Sequence, residues 1–339
     1  MELEFYMDLA LRKAWENQLL ALPNPSVGAL ILDENERILA LEAHCQSGAP
    51  HAELCAIKSA YIKIGAKDFE TLRHLNDAVE IYEFLQKNHS GIFENMSIFV
   101  TLEPCNHFGK TPPCAEILQI LRFKNIFISA SENGENACGG AQNLAKNGIF
   151  VKSGILKKRG ENLLYPFLQL RENGALSVFK VASRLNGSFE GGIISCEKSR
   201  IFSHHLRNIA TRIIISSRTI LEDNPLLDAR MSGGNAPNVC VFGRKNLKKC
   251  QNKNLNIFSV KNRQITFHSD IDSIPKGGLS IIEGGAESFA LFRDKIDLAL
   301  FFISPQISQG RSFQADFRGE ILHAQSIAED IALWLKPAF

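Results

Sequence analysis

The sequence has almost no net charge. Its 339 residues include 38 basic and 36 acidic side chains, which leave a formal net charge of +2. A balance of this kind provides no broad electrostatic field that would attract nucleic acid or an anionic membrane surface. We therefore expect a small-molecule substrate, with neither nucleic acid nor a membrane as a partner.

Long apolar runs are also lacking. The longest candidate, Leu298 to Ile303, has the length of a strand, far short of the roughly 18 residues of a membrane span. The first residues mix acidic and basic side chains with apolar ones, unlike a secretory signal. These absences predict a cytoplasmic protein, whose eight cysteines are more often reduced or bound to metal than paired in disulfides.

Internal repeats and low-complexity tracts are absent, and the length suits two domains. Helix and strand patterns alternate along the chain, which predicts an α/β fold with helices covering mixed sheets. A charged segment at 66–94 is predicted to be a surface insertion with one amphipathic helix, Asp77 to Lys87. The predicted organisation is a first domain at 1–155, a connector at 156–174 and a second domain at 175–339.

Three candidate zinc ligands stand in short motifs. His51 opens H-A-E at the start of a predicted helix, Cys105 ends T-L-E-P-C after an apolar strand, and Cys114 ends T-P-P-C. A catalytic zinc ion usually has three Cys or His ligands and leaves its fourth position to water. One imidazole and two thiolates would also cancel the charge of the ion. The motifs therefore predict a zinc site, and a disulfide between the cysteines is the weakest alternative.

Glu53 lies two residues after His51, where it can stand beside the metal without binding it. A carboxylate in that place can carry a proton from water to a leaving group. The H-x-E and P-C motifs match the signature of zinc nucleobase deaminases, in which the glutamate is the general acid and base. Here, however, eight residues separate the two cysteines, whereas the signature has two.

The stretch TLEPCNHFGKTPPC at 101–114, with HAELCAI before it and PNPSVG at 23–28, resembles the bifunctional deaminase and reductase family of riboflavin biosynthesis. The resemblance implies a cytidine-deaminase-like α/β/α sandwich followed by a dihydrofolate-reductase-like α/β domain. The first domain would use Zn²⁺ to deaminate 2,5-diamino-6-(5-phosphoribosylamino)pyrimidin-4-one. The second would use NADPH to reduce the ribose, giving 5-amino-6-(5-phosphoribitylamino)uracil. Members of the family tend to form dimers or tetramers.

The resemblance also implies roles for residues of the first domain. The flexible ammonium of Lys110 suits a substrate phosphate, and Asn24 matches the asparagine of the family's N-P-x-V-G motif, which contacts the substrate. The implied substrate-binding residues are Asn24, His44, Asn106, His107 and Lys110.

The second domain has no G-x-G-x-x-G after a strand, so a Rossmann dinucleotide site is not predicted. Gly284 and Gly285, between an apolar strand and a helix, are the best candidates for a phosphate cradle. The family pattern T-x-x-x-D-[DN]-P-x-L-x-x-R matches residues 219–230. The resemblance implies substrate contacts from Arg207, Leu227, Arg230 and Glu283, and cofactor contacts from Ser183, Thr219, Asp223, Gly284, Gly285, Ala286, Glu287 and Ser288.

The chain departs from the family pattern in three segments. Arg184 and Asn186 replace the Ser and Asp of S-L-D-G, and Arg200 replaces a tryptophan ahead of a shortened connection to His205. These changes fall on the expected nicotinamide pocket. The stretch SENGENACGG at 131–140 replaces D-P-N-P in one wall of the deaminase pocket.

Two other interpretations stay open at this point. One is a zinc deaminase for another nucleobase with a non-catalytic second domain, although such enzymes are expected to have the shorter C-x-x-C loop. The other is a non-enzymatic, zinc-stabilised binding protein. In that case Cys55, four residues after His51 on the same helix face, is a potential fourth ligand.

Overall fold

The computed structural model describes residues 2–107, 109, 112–131 and 139–338. The chain divides into two compact units, one up to Phe167 and one from Leu168 onward. The division falls inside a helix, Lys157–Asn173, which occupies most of the segment expected to be a connector. Both units are α/β, as predicted. No described helix combines the length and apolar character that crossing a membrane requires.

The first unit is built on a mixed sheet with the strand order β2-β1-β3-β4-β5. Its strands are β1 (Gly28–Leu32), β2 (Ile38–Ala43), β3 (Ser97–Leu102), β4 (Asn125–Ala130) and β5 (Phe150–Lys152). Strand β1 pairs antiparallel with both β2 and β3, whereas β3, β4 and β5 are parallel. Every residue of β1 and β3 is buried, which explains why both read as nearly continuous apolar runs.

Within the described residues, five helices occupy connections between these strands: α2 (Ala52–Ile64), α3 (Phe69–His74), α4 (Ala78–Asn88), α5 (Cys114–Ile120) and α6 (Gly140–Lys146). Helix α1 (Leu3–Trp15) precedes β1, and α7 (Lys157–Asn173) follows β5 and continues into the second unit. Helix α1 packs closely on β1, because a Cβ atom at Gly28 would lie 2.1 Å from the carbonyl oxygen of Ala10. The glycine of the N-P-S-V-G motif therefore permits this close approach.

The segment 66–94 contains the predicted helix, since α4 begins directly after Asp77, whose side chain accepts hydrogen bonds from the first-turn amides. The segment also contributes to the core, because Leu72, Leu85 and Phe93 are completely buried. The hydroxyl of Tyr61 in α2 lies 2.7 Å from the carbonyl oxygen of Lys67 and 2.9 Å from that of Asn88. Tyr61 thus ties both ends of the segment to the core. That the segment is an insertion stays a prediction.

The second unit has a larger sheet with the strand order β12-β13-β11-β6-β10-β7-β8-β9. The strands from β11 to β9 in this order are all parallel, and β12 and β13 form an antiparallel hairpin at one edge. The strands are β6 (Ala175–Arg184), β7 (Arg212–Ser216), β8 (Asn238–Phe242), β9 (Ile265–His268), β10 (Gly278–Glu283), β11 (Leu298–Ser304), β12 (Gly319–Ile327) and β13 (Asp330–Pro337). The helices are α8 (Glu197–Ile209), α9 (Ser217–Asp223) and α10 (Ala286–Phe292).

Phenylalanine rings form much of the core of the second unit. Phe289 of α10 contacts Phe179 of β6 in an edge-to-face arrangement with ring centroids 4.9 Å apart, and it also contacts Phe313 and Phe317. The sequence contains 23 phenylalanines against four tyrosines and two tryptophans. Because phenylalanine has no polar atom, these rings fill a dry core without needing a hydrogen-bond partner. They hold α10 against the sheet next to the end of β10.

We predict that Tyr61→Phe lowers the free energy of unfolding by about 1 to 2 kcal/mol, because the partly buried carbonyl groups of Lys67 and Asn88 lose their partner. Tyr6→Phe is the matched control, since the Tyr6 hydroxyl donates a single exposed hydrogen bond to the carbonyl of Glu36. Its effect should stay within about 0.5 kcal/mol. Urea denaturation of the whole chain measures both changes, and equal effects would contradict the role given to Tyr61.

Candidate active sites

The three predicted zinc ligands lie together at the amino ends of two helices. His51 directly precedes α2, Cys105 follows β3, and Cys114 is the first residue of α5. The Nδ1 atom of His51 lies 3.3 Å from Cys114 Sγ and 3.7 Å from Cys105 Sγ. In a tetrahedral zinc site with Zn–S of about 2.3 Å and Zn–N of about 2.0 Å, such ligand atoms are roughly 3.5 to 3.8 Å apart. The donor types and their spacing therefore fit zinc.

The two cysteines share one negative charge. A hydrogen bond from the Cys114 thiol, against the effect of burial, lowers the pKa of Cys105 to about 4, and the neighbouring His51 adds to this shift. The bond to Cys105, together with burial, raises the pKa of Cys114 well above its usual value. The backbone amide of Cys114 also donates to Cys105 Sγ, at 3.3 Å. A thiolate is thus already present in the form that binds metal.

Glu53 lies in the first turn of α2, only 4% exposed. Burial raises the pKa of its carboxyl group, and the neighbouring His51 acts in the opposite direction. A carboxyl group whose proton affinity is increased in this way holds a proton more readily between accepting and returning it.

Asn24 and His44, both expected at the substrate, are hydrogen-bonded to each other beside His51. The Nδ1 atom of His44 lies 3.0 Å from the carbonyl oxygen of Pro50, and its Nε2 atom lies 3.1 Å from Asn24 Nδ2. A carbonyl only accepts hydrogen bonds, so Nδ1 carries the proton and Nε2 accepts from the amide of Asn24. The His44 ring is 5.4 Å from the His51 ring, and burial lowers the pKa of His44.

The loop between the two cysteines is partly described. Asn106 and His107 are exposed, and the Asn106 side-chain oxygen accepts a hydrogen bond from Asn143 of α6, at 3.1 Å. Lys110, the expected phosphate partner, lies outside the described residues. Residues 132–138, within the stretch that replaces the family's D-P-N-P, lie outside them as well.

Glu103 has a role that the sequence analysis missed. One of its carboxylate oxygens accepts hydrogen bonds from the backbone amides of Gly139 and Ala141, both at 3.0 Å. A Cβ atom at Gly140 would lie 1.9 Å from the carbonyl oxygen of Pro104. Glu103 and Gly140 thus hold the start of α6 against the strand end that presents Cys105. In the sequence, the pair Gly139 and Gly140 at the start of a helix was the feature that could have indicated this close packing.

Cys55 does not join the cluster of potential ligands. Its thiol donates to the carbonyl oxygen of Pro50, at 3.5 Å, and burial raises its pKa to about 12. Among the described residues, the potential ligand atoms that gather here belong to His51, Cys105 and Cys114. The interpretation of Cys55 as a fourth ligand is therefore not supported.

In the second unit, Glu283 at the end of β10 is the centre of a charged cluster. Arg207 of α8 donates two hydrogen bonds to its carboxylate, at 3.0 and 2.9 Å. Lys180 of β6 is its direct partner in the strand register. Burial opposes ionisation, but the charges of Arg207 and Lys180 outweigh it and lower the pKa of Glu283 to about 2. The sequence analysis missed Lys180, although it is a charged residue within an apolar strand.

The other two expected substrate residues of this unit are close to that cluster. Arg230 donates two hydrogen bonds to the carboxylate of Asp228, at 2.9 and 3.0 Å, and Arg207 contacts the carbonyl oxygen of Asp228, at 3.3 Å. Leu227 is buried and has a positive φ of 54°. Arg263 donates to its carbonyl oxygen, at 2.7 Å, which holds this strained turn in place.

The expected cofactor residues follow neighbouring parallel strands. Gly284 and Gly285 lie between β10 and α10, and no side chain caps that helix. A Cβ atom at Gly285 would lie 2.9 Å from the Phe189 ring. The glycine therefore leaves room for that ring, and the first amides of α10, which no side chain caps, stay candidates for a phosphate contact. Of the remaining residues, Ser183 lies in β6, Thr219 and Asp223 in α9, and Ala286, Glu287 and Ser288 in the first turn of α10.

Two of the residues that depart from the family pattern, Arg184 and Asn186, have structural partners in this chain. Arg184 is buried and donates to the carbonyl oxygens of Glu190 and Gly191, both at 2.7 Å. Asn186 donates to the carbonyl oxygen of Ser308, at 2.7 Å. Arg200 lies in α8, where its Nε atom is buried and has no hydrogen-bond partner within the described residues. The loop after β6 is thus organised by Arg184 and Asn186 themselves.

The sequence of the first unit matches a known family of proteins. Residues 1–130 match the zinc-binding region of the cytidine and deoxycytidylate deaminase family. The first unit therefore carries a deaminase domain of this class, whose zinc-binding region includes the three clustered candidate ligands.

The particular relatives span both units. The chain is 30% identical over 235 residues to the riboflavin biosynthesis protein RibD of Bacillus amyloliquefaciens, covering 67% of this chain and 55% of that protein. It is 32% identical over 237 residues to RibD of Chlamydia muridarum, covering 68% and 56%. The match thus spans little more than half the length of these relatives. The chain is homologous to the RibD proteins of riboflavin biosynthesis, which confirms the resemblance found in the sequence.

Solved structures share the fold along the whole chain. A deaminase and reductase from Thermotoga maritima aligns with a TM-score of 0.65 and 24% identity, covering 99% of this chain and 98% of that one. RibD of Acinetobacter baumannii aligns with a TM-score of 0.61 and 22% identity, covering 99% of both chains. These similarities confirm the predicted fold class.

We predict that Cys114→Ser abolishes zinc binding, because one of three protein ligands is lost and an alcohol is a poor zinc ligand. Cys55→Ser is the matched control and should keep about one zinc ion per chain. Metal analysis of the dialysed proteins measures both. Unchanged metal content in the Cys114 variant would refute the ligand assignment.

We predict that Glu283→Gln lowers the free energy of unfolding at neutral pH by about 3 to 5 kcal/mol, because Arg207 keeps a buried charge without its partner. Glu222→Gln, which breaks an exposed pair with Arg218, should cost less than about 1 kcal/mol.

The same pair predicts a pH dependence. The pKa of Glu283 is lowered from 4.5 to about 2, so its contribution is complete above pH 4.5 and is lost as the pH falls towards 2. Denaturation at a series of pH values gives the free energy of unfolding across this range. As the pH falls, that free energy should decrease more steeply for the natural protein than for Glu283→Gln. Equal slopes would contradict the assignment.

Proposed function

We propose that this chain is a bifunctional enzyme of riboflavin biosynthesis. Its first domain hydrolytically deaminates 2,5-diamino-6-(5-phosphoribosylamino)pyrimidin-4-one, and its second domain reduces the ribose of the product with NADPH to give 5-amino-6-(5-phosphoribitylamino)uracil. The observation that carries the proposal is the cluster of His51, Cys105 and Cys114 beside the buried Glu53. Homology to RibD over both units supports the choice of substrate.

In the deamination, His51, Cys105 and Cys114 would hold zinc, which acts as a Lewis acid and lowers the pKa of water. Glu53 would take a proton from the attacking water and pass it to the leaving nitrogen, so that one water molecule is consumed and one ammonia is released. Its raised pKa suits both transfers. Asn24, which is hydrogen-bonded to His44, is assigned to orient the pyrimidine, and Asn106, His107 and Lys110 are assigned to the ring, the ribose and the phosphate.

In the reduction, NADPH supplies the hydride, and the residues of the second unit orient both reactants. Gly284 and Gly285 with the first turn of α10 would hold the diphosphate. Arg207 is committed to Glu283, whereas the side chain of Arg230 is 59% exposed. Of the two arginines, Arg230 therefore has the more accessible charge for the sugar phosphate, and Arg207 and Glu283 are assigned to the substrate as an ion pair.

The alternative of a purely structural zinc site has less support. A structural site usually has four protein ligands, and the described residues provide three at this place. A buried carboxyl group beside the ligands would also have no use in such a site. A homodimer or homotetramer and a cytoplasmic location stay predictions.

One variant tests both activities. Glu53→Gln should keep zinc but lose ammonia release by at least about 100-fold, because the proton carrier is gone. Supplied with the deaminated intermediate, the same variant should still oxidise NADPH at the rate of the natural protein. Ammonia and NADPH are followed in parallel. Full ammonia release would refute the role of Glu53, and a natural protein that deaminates but never oxidises NADPH would refute the reductase assignment.

A further inference from the structure

Residues 224–230 form a turn that carries two of the expected substrate residues, Leu227 and Arg230, and we call it the substrate turn. It begins directly after α9, and its residues 224–229 are all described but belong to no helix or strand. Leu227 has a positive φ of 54°, a conformation that residues with a Cβ atom seldom adopt. The turn therefore depends on contacts from other parts of the chain to keep its shape.

Arg263, two residues before β9, holds the middle of the substrate turn. Its guanidinium donates to the carbonyl oxygens of Leu227 and Leu226, both at 2.7 Å, and to that of Ile257, at 2.6 Å. Because a guanidinium is planar and rigid, these bonds fix two successive carbonyl groups of the turn. Burial lowers the pKa of Arg263 to about 10, so the side chain keeps its proton and all of its donors at neutral pH.

Asn256 holds the beginning of the same turn. Its side-chain amide donates to the backbone carbonyl oxygen of Asn224, and its backbone amide donates to the side-chain oxygen of Asn224, both at 2.8 Å. Asn256 and Ile257 belong to one short 3₁₀ helix, Asn256–Phe258. Since Arg263 also binds the carbonyl group of Ile257, this helix and Arg263 form a single support for the turn.

The end of the substrate turn belongs to the charged cluster. Asp228 follows Leu227 directly, and its carboxylate accepts two hydrogen bonds from Arg230, at 2.9 and 3.0 Å. The Arg230 side chain is otherwise 59% exposed, so its direction depends largely on Asp228. A shift of the Leu227 carbonyl group would therefore move Asp228 and, with it, the guanidinium of Arg230.

We propose that Arg263 is a positioning residue of the reductase, which holds the substrate turn so that Arg230 meets the phosphate of the substrate. The inference rests on the proposed reductase function and adds a residue that acts through the turn without touching the substrate. The phosphate takes no part in hydride transfer and keeps its charge throughout. Its contact therefore contributes equally to the ground state and the transition state, and a loss of that contact raises KM more than it changes kcat.

Arg263→Met removes the three hydrogen bonds and keeps a long side chain. Supplied with the deaminated intermediate, this variant should show a KM for that substrate raised by about tenfold or more, because two carbonyl groups of the turn lose their donor. Its kcat and its KM for NADPH should stay within about twofold of the natural values. Ammonia release by the first domain is the internal reference and should be unchanged.

Arg212→Met is the matched control. Arg212 begins β7 and donates to the carbonyl oxygen of Gly277, at 2.6 Å, and to the Ser280 hydroxyl, at 3.0 Å. These partners lie at the start of β10, whereas Glu283 and the charged cluster lie at its end. Arg212→Met should lower the thermal unfolding temperature, as Arg263→Met does, but it should leave the KM for the substrate unchanged.

Two further measurements show whether Arg263 acts through the turn. Asn256 is exposed, so Asn256→Ala should fold even if Arg263→Met does not, and it should raise the same KM by about fivefold. In a double-mutant cycle, Arg263→Met added to Arg230→Met should raise KM by less than about twofold more. The phosphate contact that Arg263 positions is already lost in that background.

The outcomes separate this inference from the proposed function. If Arg263→Met or Asn256→Ala leaves KM unchanged, or if Arg212→Met raises it equally, the inference is wrong and the reductase function stands. Fully multiplicative effects of Arg263→Met and Arg230→Met would overturn the inference in the same way. If the natural protein never oxidises NADPH with this substrate, the reductase function and the role of Arg263 are both wrong.

Discussion

Strands that run in the same direction end at the same edge of a sheet, and both candidate sites depend on this constraint. In the first unit, β2 and β3 are both antiparallel to β1, so the segments that carry His51 and Cys105 leave the sheet at one edge. In the second unit, the ends of β6, β7, β8 and β10 are level because all four are parallel neighbours. Residues far apart in sequence can therefore act on one small molecule.

Buried charge is stabilised differently at the two sites. Beside α5, Cys105 and Cys114 share one proton, and the carboxyl group of Glu53 has an increased proton affinity. His51 is the basic group that faces these acidic ones, and a divalent cation would add the positive charge that two thiolates require. At the end of β10, by contrast, Glu283 is held ionised by Arg207 and Lys180. The second site therefore has its charge balance in place before any ligand binds, whereas the first is completed by metal.

Much of the deaminase site was predictable because its chemistry is local. His51 and Glu53 are two residues apart, and Cys105 and Cys114 flank one loop, so their types and spacing indicate zinc. Glu103 was not predictable in this way, since its partners Gly139 and Ala141 come 36 and 38 residues later. The role of Arg184, which departs from the family pattern, likewise became clear only from its hydrogen bonds to the carbonyl oxygens of the following loop.

The sequence by itself determined the α/β class, the kinds of side chain at the zinc site and the family to which the chain is related. These follow from periodicity and short motifs, which depend on neighbouring residues. Only the tertiary structure decided that Lys180 faces Glu283, that His44 accepts from Asn24 and that Cys55 points to Pro50. Strand register and packing join segments that are distant along the chain, and no local pattern specifies which distant partner a side chain meets.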